Sequence, residues 1–154
     1  MLALHKGSLR GAATRPGFGW GAGENGMAVV FFGLLIGLEL KHFVADYLMQ
    51  PGWMLAGKGN IFQPGGYAHA AVHAAFSLIL LVLLGTPLAL AAALFAGEFV
   101  IHYALDYAKI HYSAGVHVEN KPARFWALHG ADQLAHQLTY AAMIYLVVRA
   151  LGLV

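Results

Sequence analysis

Cysteine is absent from this 154-residue chain. That removes disulfides, thiolate metal sites and cysteine nucleophiles from consideration and leaves the compartment open. Charge is scarce too. Asp, Glu, Lys and Arg supply 10% of the residues against 60% hydrophobic, where ordinary soluble domains run at about 25% charged and about 45–50% apolar. A soluble chain this short cannot hide so much apolar surface from water. The composition therefore selects an integral membrane protein with one domain, whose surroundings are the lipid bilayer. The basic residues are scattered rather than patched, which gives no reason to expect a nucleic-acid partner. Gly19, Gly21 and Gly23 lead into no Lys-Ser/Thr pattern, so they form no phosphate loop.

Residues 1–26 read as a glycine-rich basic tail, with His5, Lys6, Arg10 and Arg15 ahead of the first acid, Glu24. The tail has no long apolar run followed by a small-residue cleavage site, so it is not read as a signal peptide. It is a candidate for contact with other membrane subunits or with headgroups. Residues 27–154 hold four expected spans. The first runs from about Met27 to Met49 and is stopped by Gln50-Pro51-Gly52, with Trp53 as an interfacial anchor. A loop through Lys58 and Pro64 leads to the second, about Tyr67 to Leu84. Gly85-Thr86-Pro87 marks a tight turn, and the third span runs from about Leu88 to Ile110. A polar loop precedes the fourth, about Phe125 to Leu151. No Asp, Glu, Lys or Arg lies between Lys58 and Glu98. Each span is near the roughly 20 residues that cross a hydrocarbon core of about 30 Å.

The ionisable residues within these spans recur in register. His42 and His102, Asp46 and Asp106, Tyr47 and Tyr107, and His69 and His129 are each sixty positions apart. The repeat unit is one helical hairpin used twice. The expected fold is therefore all-α, an integral membrane four-helix bundle built from two repeated transmembrane hairpins. Odd spans carry their polar residues late and even spans early, so alternating direction brings all of them to one side of the membrane. At about 100° per residue, Glu39, His42 and Asp46 fall within roughly 60° of one another. Glu98, His102 and Asp106 share a stripe, His69 and His73 are one turn apart, and His129, Asp132 and His136 repeat the narrow pattern. Lys58, Lys109, Lys121 and Arg124 lie on the site side, against Arg10, Arg15 and Arg149 on the other, which leans towards a cytoplasmic site. The expected location is a bacterial inner (cytoplasmic) membrane, crossed several times.

Ionisable groups inside hydrophobic spans are costly and mark function. Imidazole and carboxylate donors suit a divalent metal, with zinc or iron as first choices. The expected ligands are His42, His69, His73, His102, His129 and His136. Asp46, Asp106 and Asp132 are expected as bases, ligands or orienting groups, and Lys109 as a residue that stabilises an anion at the membrane face. The chemistry this implies is metal-dependent hydrolysis of a lipid-linked substrate. Two other readings stand beside it: a proton or cation transport protein, and a non-catalytic subunit of a larger membrane complex. The structural alternative for the histidines is hydrogen-bonded glue between helices, and the imperfect echo, with Gln133 matching His73, favours one asymmetric centre over two equivalent ones.

The segments HFVADYLMQPGWM, HAAVHA, HYALDYAK and DQLAH carry a resemblance. In them His42-x3-Asp46 is followed by Gln50-Pro51, then His69-x3-His73, His102-x3-Asp106-x2-Lys109, and Asp132-Gln133-x2-His136. Over about residues 35–140 the chain resembles an uncharacterised family of small bacterial polytopic membrane proteins, grouped as a domain of unknown function. The resemblance implies the span count and the polar motif, and no activity. More distantly, the intramembrane His and Asp are similar to those of membrane-bound metal-dependent hydrolases, from which no residue role is carried over.

Overall fold

The structure, a computed structural model, describes residues 24–154, and all regular structure among them is helical. Helix α1 (Glu24–Phe43) runs directly into a π-helical turn, Val44–Leu48. A short helix α2 (Gly52–Gly57) follows, then α3 (Pro64–Leu83), α4 (Leu88–Tyr112) and α5 (Pro122–Ala150). Proline opens α3 and α5, where its missing N–H costs nothing and its fixed φ already suits the helix. The α3–α4 turn is closed by Gly85, whose φ of +79° is the left-handed conformation that a Cβ would oppose. Most of the tail expected at residues 1–26 lies outside the described residues; its last three, Glu24 to Gly26, already belong to α1.

Among the described residues, three stretches are long and apolar enough to cross a membrane: Asn25–Leu48, Pro64–Leu83 and Leu88–Tyr112. Helix α5 is the longest at 29 residues, and its polar residues from His129 to Thr139 lower its apolarity. The long helices are apolar on their outer faces as well as inside. Phe32, Ile36, Leu83, Val100 and Leu138 are all exposed, the pattern of helices solvated by lipid.

Helix α1 packs beside α3 and α5, and α4 packs beside the same two, so α1 and α4 lie diagonally opposite. Two glycines allow the α1–α3 approach. A Cβ on Gly33 would come within 3.3 Å of Leu84, and one on Gly37 within 3.0 Å of Leu80. Small residues that admit close packing hold helices together where lipid removes the hydrophobic driving force. The interior is split into two layers. Val30, Leu34 and Leu38 of α1, Leu81 of α3, Leu94 of α4 and Met143, Ile144 and Val147 of α5 form an apolar half. At the opposite end, where α1 finishes, α3 begins, α4 finishes and α5 begins, the interior is polar and ionisable.

Candidate metal centre

Each helix delivers its polar residues by simple periodicity. His42 comes from the last turn of α1, and His69 and His73 from the first turns of α3. His102 and Asp106 lie one turn apart on α4, and Asp132 and His136 one turn apart on α5. All but Asp46 are buried; Asp46, in the π-helical turn, is partly buried. That turn is closed by Met49 N–H donating to the Val44 carbonyl at 3.0 Å, an i→i+5 bond. It is a local widening of the kind found at functional sites. It presents Asp46 to three imidazoles: His42 Nε2 at 3.2 Å, His69 Nε2 at 3.1 Å and His73 Nε2 at 3.2 Å.

Five imidazoles converge. The His73 and His102 ring centroids are 3.9 Å apart, His102 and His136 4.4 Å, His69 and His73 4.6 Å, and His42 and His136 5.2 Å. Two groups of potential ligand atoms lie within 4.8 Å of one another: Asp46, His69, His73 and His102, and then His102, Asp106 and His136. His102 belongs to both. His42 lies against this set and presents Nε2 to Asp46, while its Nδ1 is bonded to the Tyr140 hydroxyl at 2.8 Å.

The hydrogen bonds fix which nitrogens are free. His136 Nδ1 lies 2.9 Å from the Asp132 carbonyl oxygen, one turn back. A carbonyl only accepts, so Nδ1 carries the proton and Nε2 of the neutral ring offers its lone pair. That Nε2 is buried and has no hydrogen-bond partner. The same holds for His42 Nε2 and for both nitrogens of His102. Leaving a buried polar atom unsatisfied costs about 1–3 kcal/mol, and here several are collected in one place with ligand geometry. Two of them, His42 Nε2 and His102 Nε2, face carboxylates at 3.2 and 3.5 Å without hydrogen-bond alignment. The donor set, imidazole nitrogens with nearby carboxylates, suits a borderline divalent ion.

Lysines border the cluster. Lys58, in the segment after α2, places Nζ 2.8 Å from Asp106 Oδ2 as an ion pair without hydrogen-bond alignment, and Lys109 Nζ donates to Asp132 Oδ2 at 2.6 Å. Lys41 is buried and donates to the Glu98 carboxylate across the diagonal.

Of the residues expected from sequence, the structure brings together His42, His69, His73, His102, His136, Asp46, Asp106 and Asp132, with Lys109 at the edge. It leaves His129 outside both ligand groups, on the wall of the adjoining cavity that Asp46 and Asp106 also line. That imidazole is half-buried against Phe125 and Trp126, with centroids at 6.5 and 6.0 Å. It lies seven residues before His136, about 10 Å along the helix. Three further residues take part that the sequence does not single out. Gln50, which reads only as a helix stop, places its amide 3.1 Å from His69 Nδ1. Lys58 reads as a loop residue on the site side. Tyr140 follows His136 by one turn, and that spacing could have found it.

The chain belongs to the family described as "Protein of unknown function (DUF3307)", whose model matches residues 31–153. No curated protein and no solved structure matches it.

Proposed function

We propose that this chain is a four-span membrane bundle that holds one divalent metal ion in its polar layer and uses it for hydrolysis of a lipid-linked substrate. The observation that carries the reading is the set of unpartnered, buried imidazole nitrogens of His42, His102 and His136 beside the ligand group Asp46, His69, His73 and His102. Because His102 serves both groups, we treat them as one asymmetric centre. Helix α5 is the fourth span. Asp132 and His136 on it face the cluster, and its 29 residues extend about 43 Å at 1.5 Å per residue. The diagonal placement of α1 opposite α4 supports a duplicated hairpin, because a twofold along the membrane normal would exchange those two helices.

His69, His73 and His102 would hold the ion, with His42 and His136 beside them. When bound, a divalent ion would supply an activated water and polarise the scissile group. Asp46 or Asp106 would take the proton of the attacking water and return it to the leaving oxygen, so that HO adds to the electrophilic centre and H to the departing oxygen. Gln50 and Tyr140 orient His69 and His42. The apolar half of the interior, from Val30 to Leu38 and from Met143 to Val147, offers no polar path onward, which argues against a transport role.

Elemental analysis of the full chain, purified in detergent without chelators, tests the reading. The expected result is stoichiometric zinc or iron in the native chain and its loss in His102→Ala. A native chain free of divalent metal after reconstitution overturns it.

A further inference from the structure

A small cavity of about 180 Å³ connects the polar layer to the end of the helices. Asp46, Gln50, Lys58, Asp106, Lys109 and Gln133 line it, with His129 beside them. It has room for several waters, and it reaches the ligand group through Asp46. Its wall also carries the exposed apolar side chains Tyr47, Leu55 and Ile110, and the segment from Leu48 to Phe62 exposes Leu48, Trp53 and Phe62 as well. Aromatic and apolar side chains of this kind sit at headgroup level in a bilayer. The mouth therefore opens where lipid headgroups lie.

The charges around the cavity give its preference. The charged groups that line the cavity balance: two carboxylates, Asp46 and Asp106, stand against two ammonium groups, Lys58 and Lys109. A divalent ion held by the adjoining ligand group would leave a positive surplus there. Lys58 is almost fully buried there, and Lys109 keeps 32% of its side chain exposed, so it can turn from Asp132 towards a ligand. The amides of Gln50 and Gln133 add neutral donors.

We propose that this cavity is a phosphoryl-binding vestibule, so that the substrate is a phosphate ester of a lipid rather than a neutral ester or amide. The proposal rests on the metal-centre reading, because the positive surplus exists only with the ion in place. The ammonium of Lys109 would meet a substrate oxyanion at this wall, with Lys58 behind it, while the apolar remainder of the substrate would stay in the bilayer. In the hydrolytic step the water oxygen forms a bond to phosphorus and the bond from phosphorus to the lipid oxygen breaks. One water proton passes through the carboxylate to that oxygen.

The test uses the full chain in detergent, loaded with zinc and assayed for metal content, with inorganic phosphate as probe and sulfate as competitor. Millimolar or tighter phosphate binding is expected in the zinc-loaded chain. It should be lost in the metal-free chain, weakened at least tenfold in Lys109→Met and restored in Lys109→Arg. Nanodiscs with and without phosphatidic acid distinguish the sources. Displacement of inorganic phosphate by phosphatidic acid assigns the site to a headgroup, and its absence assigns it to the free ion. A chain that holds zinc but binds no phosphate, or binds it equally in Lys109→Met, overturns this inference and leaves the metal reading standing. A chain that takes up no metal overturns both.

Discussion

Lys41 of α1 is ion-paired with Glu98 of α4 across the diagonal of the helix array, between two helices that are not neighbours, and both side chains are at least 96% buried. The same ammonium lies 3.4 Å from the His73 carbonyl oxygen and 4.4 Å over the Tyr140 ring. One cation thus touches α3, α4 and α5, directly beneath the histidines. Removing one partner of a buried pair leaves an uncompensated charge and costs about 3–5 kcal/mol, whereas replacing both by apolar residues is often near neutral. Lys41→Met and Glu98→Leu are each expected to lower unfolding stability in detergent by that amount. The double variant should regain most of the loss. Additive losses in the double variant would show that the two charges act separately.

His102 and His129 separate the centre seen in the structure from the one the sixty-residue echo suggests. His102 lies in both ligand groups and has two unpartnered nitrogens. His129 stacks on Phe125 and Trp126 outside them. His102→Ala is expected to remove stoichiometric metal. His129→Ala should keep it, with affinity within about threefold of the native chain. Metal titration against a chromophoric chelator measures both, and equal losses would place His129 among the ligands.

The short helix α2 sets the position of Lys58 by backbone contact. A Cβ on Gly65 would lie 2.5 Å from the Trp53 carbonyl oxygen and 2.8 Å from that of Met54, and one on Gly57 would lie 2.7 Å from Gly65 Cα. Neither neighbour is a flexible side-chain tip. Gly65→Ala must push α2 off the start of α3, at the roughly 1–3 kcal/mol typical of overpacking, and it must carry Lys58 away from Asp106. Gly52→Ala meets nothing within 4 Å and serves as the control. The expected outcome is a lower Tm and altered Trp53 emission for the first, with a change below about 0.5 kcal/mol for the second. A silent Gly65→Ala would mean that α2 is not anchored there.

The long helices were legible because lipid-facing apolar residues and proline or glycine boundaries mark them. The convergence of His42, His73, His102 and His136 followed from alternating direction alone. Other features carried no such signal. Val44–Leu48 looks like ordinary helix, and only the packing of Ala45 and the demands on Asp46 reveal the wider turn. Helix α2 is six residues long, bracketed by glycines, and stabilised by contacts to Gly65 and Gly66 that periodicity cannot see. The echo failed at His129 because equal spacing does not mean equal path. From Asp46 to His69 the chain passes through the end of the π-helical turn, α2 and a loop, whereas from Asp106 it continues as helix to Tyr112 before its loop. On the longer path it is His136, seven residues after His129, that reaches the cluster.

Tyr140 gives the sharpest test that the centre is tuned rather than merely present. Its hydroxyl lies 2.8 Å from His42 Nδ1, its ring is buried in the apolar half, and the His42 and Tyr140 rings meet edge to face with centroids at 5.7 Å. When His42 Nδ1–H donates to this oxygen, Nε2 is left unprotonated and aimed at the cluster. Partners that fix a ligand's tautomer in this way typically affect metal affinity by about 10–100-fold. Tyr140→Phe keeps the ring and removes the oxygen alone. It is expected to keep the fold and to cost the metal-free chain about 1–3 kcal/mol, because His42 Nδ1 loses its buried partner, while weakening zinc at least tenfold in chelator competition. Zinc affinity unchanged in Tyr140→Phe would remove His42 from the coordination and leave Asp46, His69, His73 and His102 to hold the ion alone.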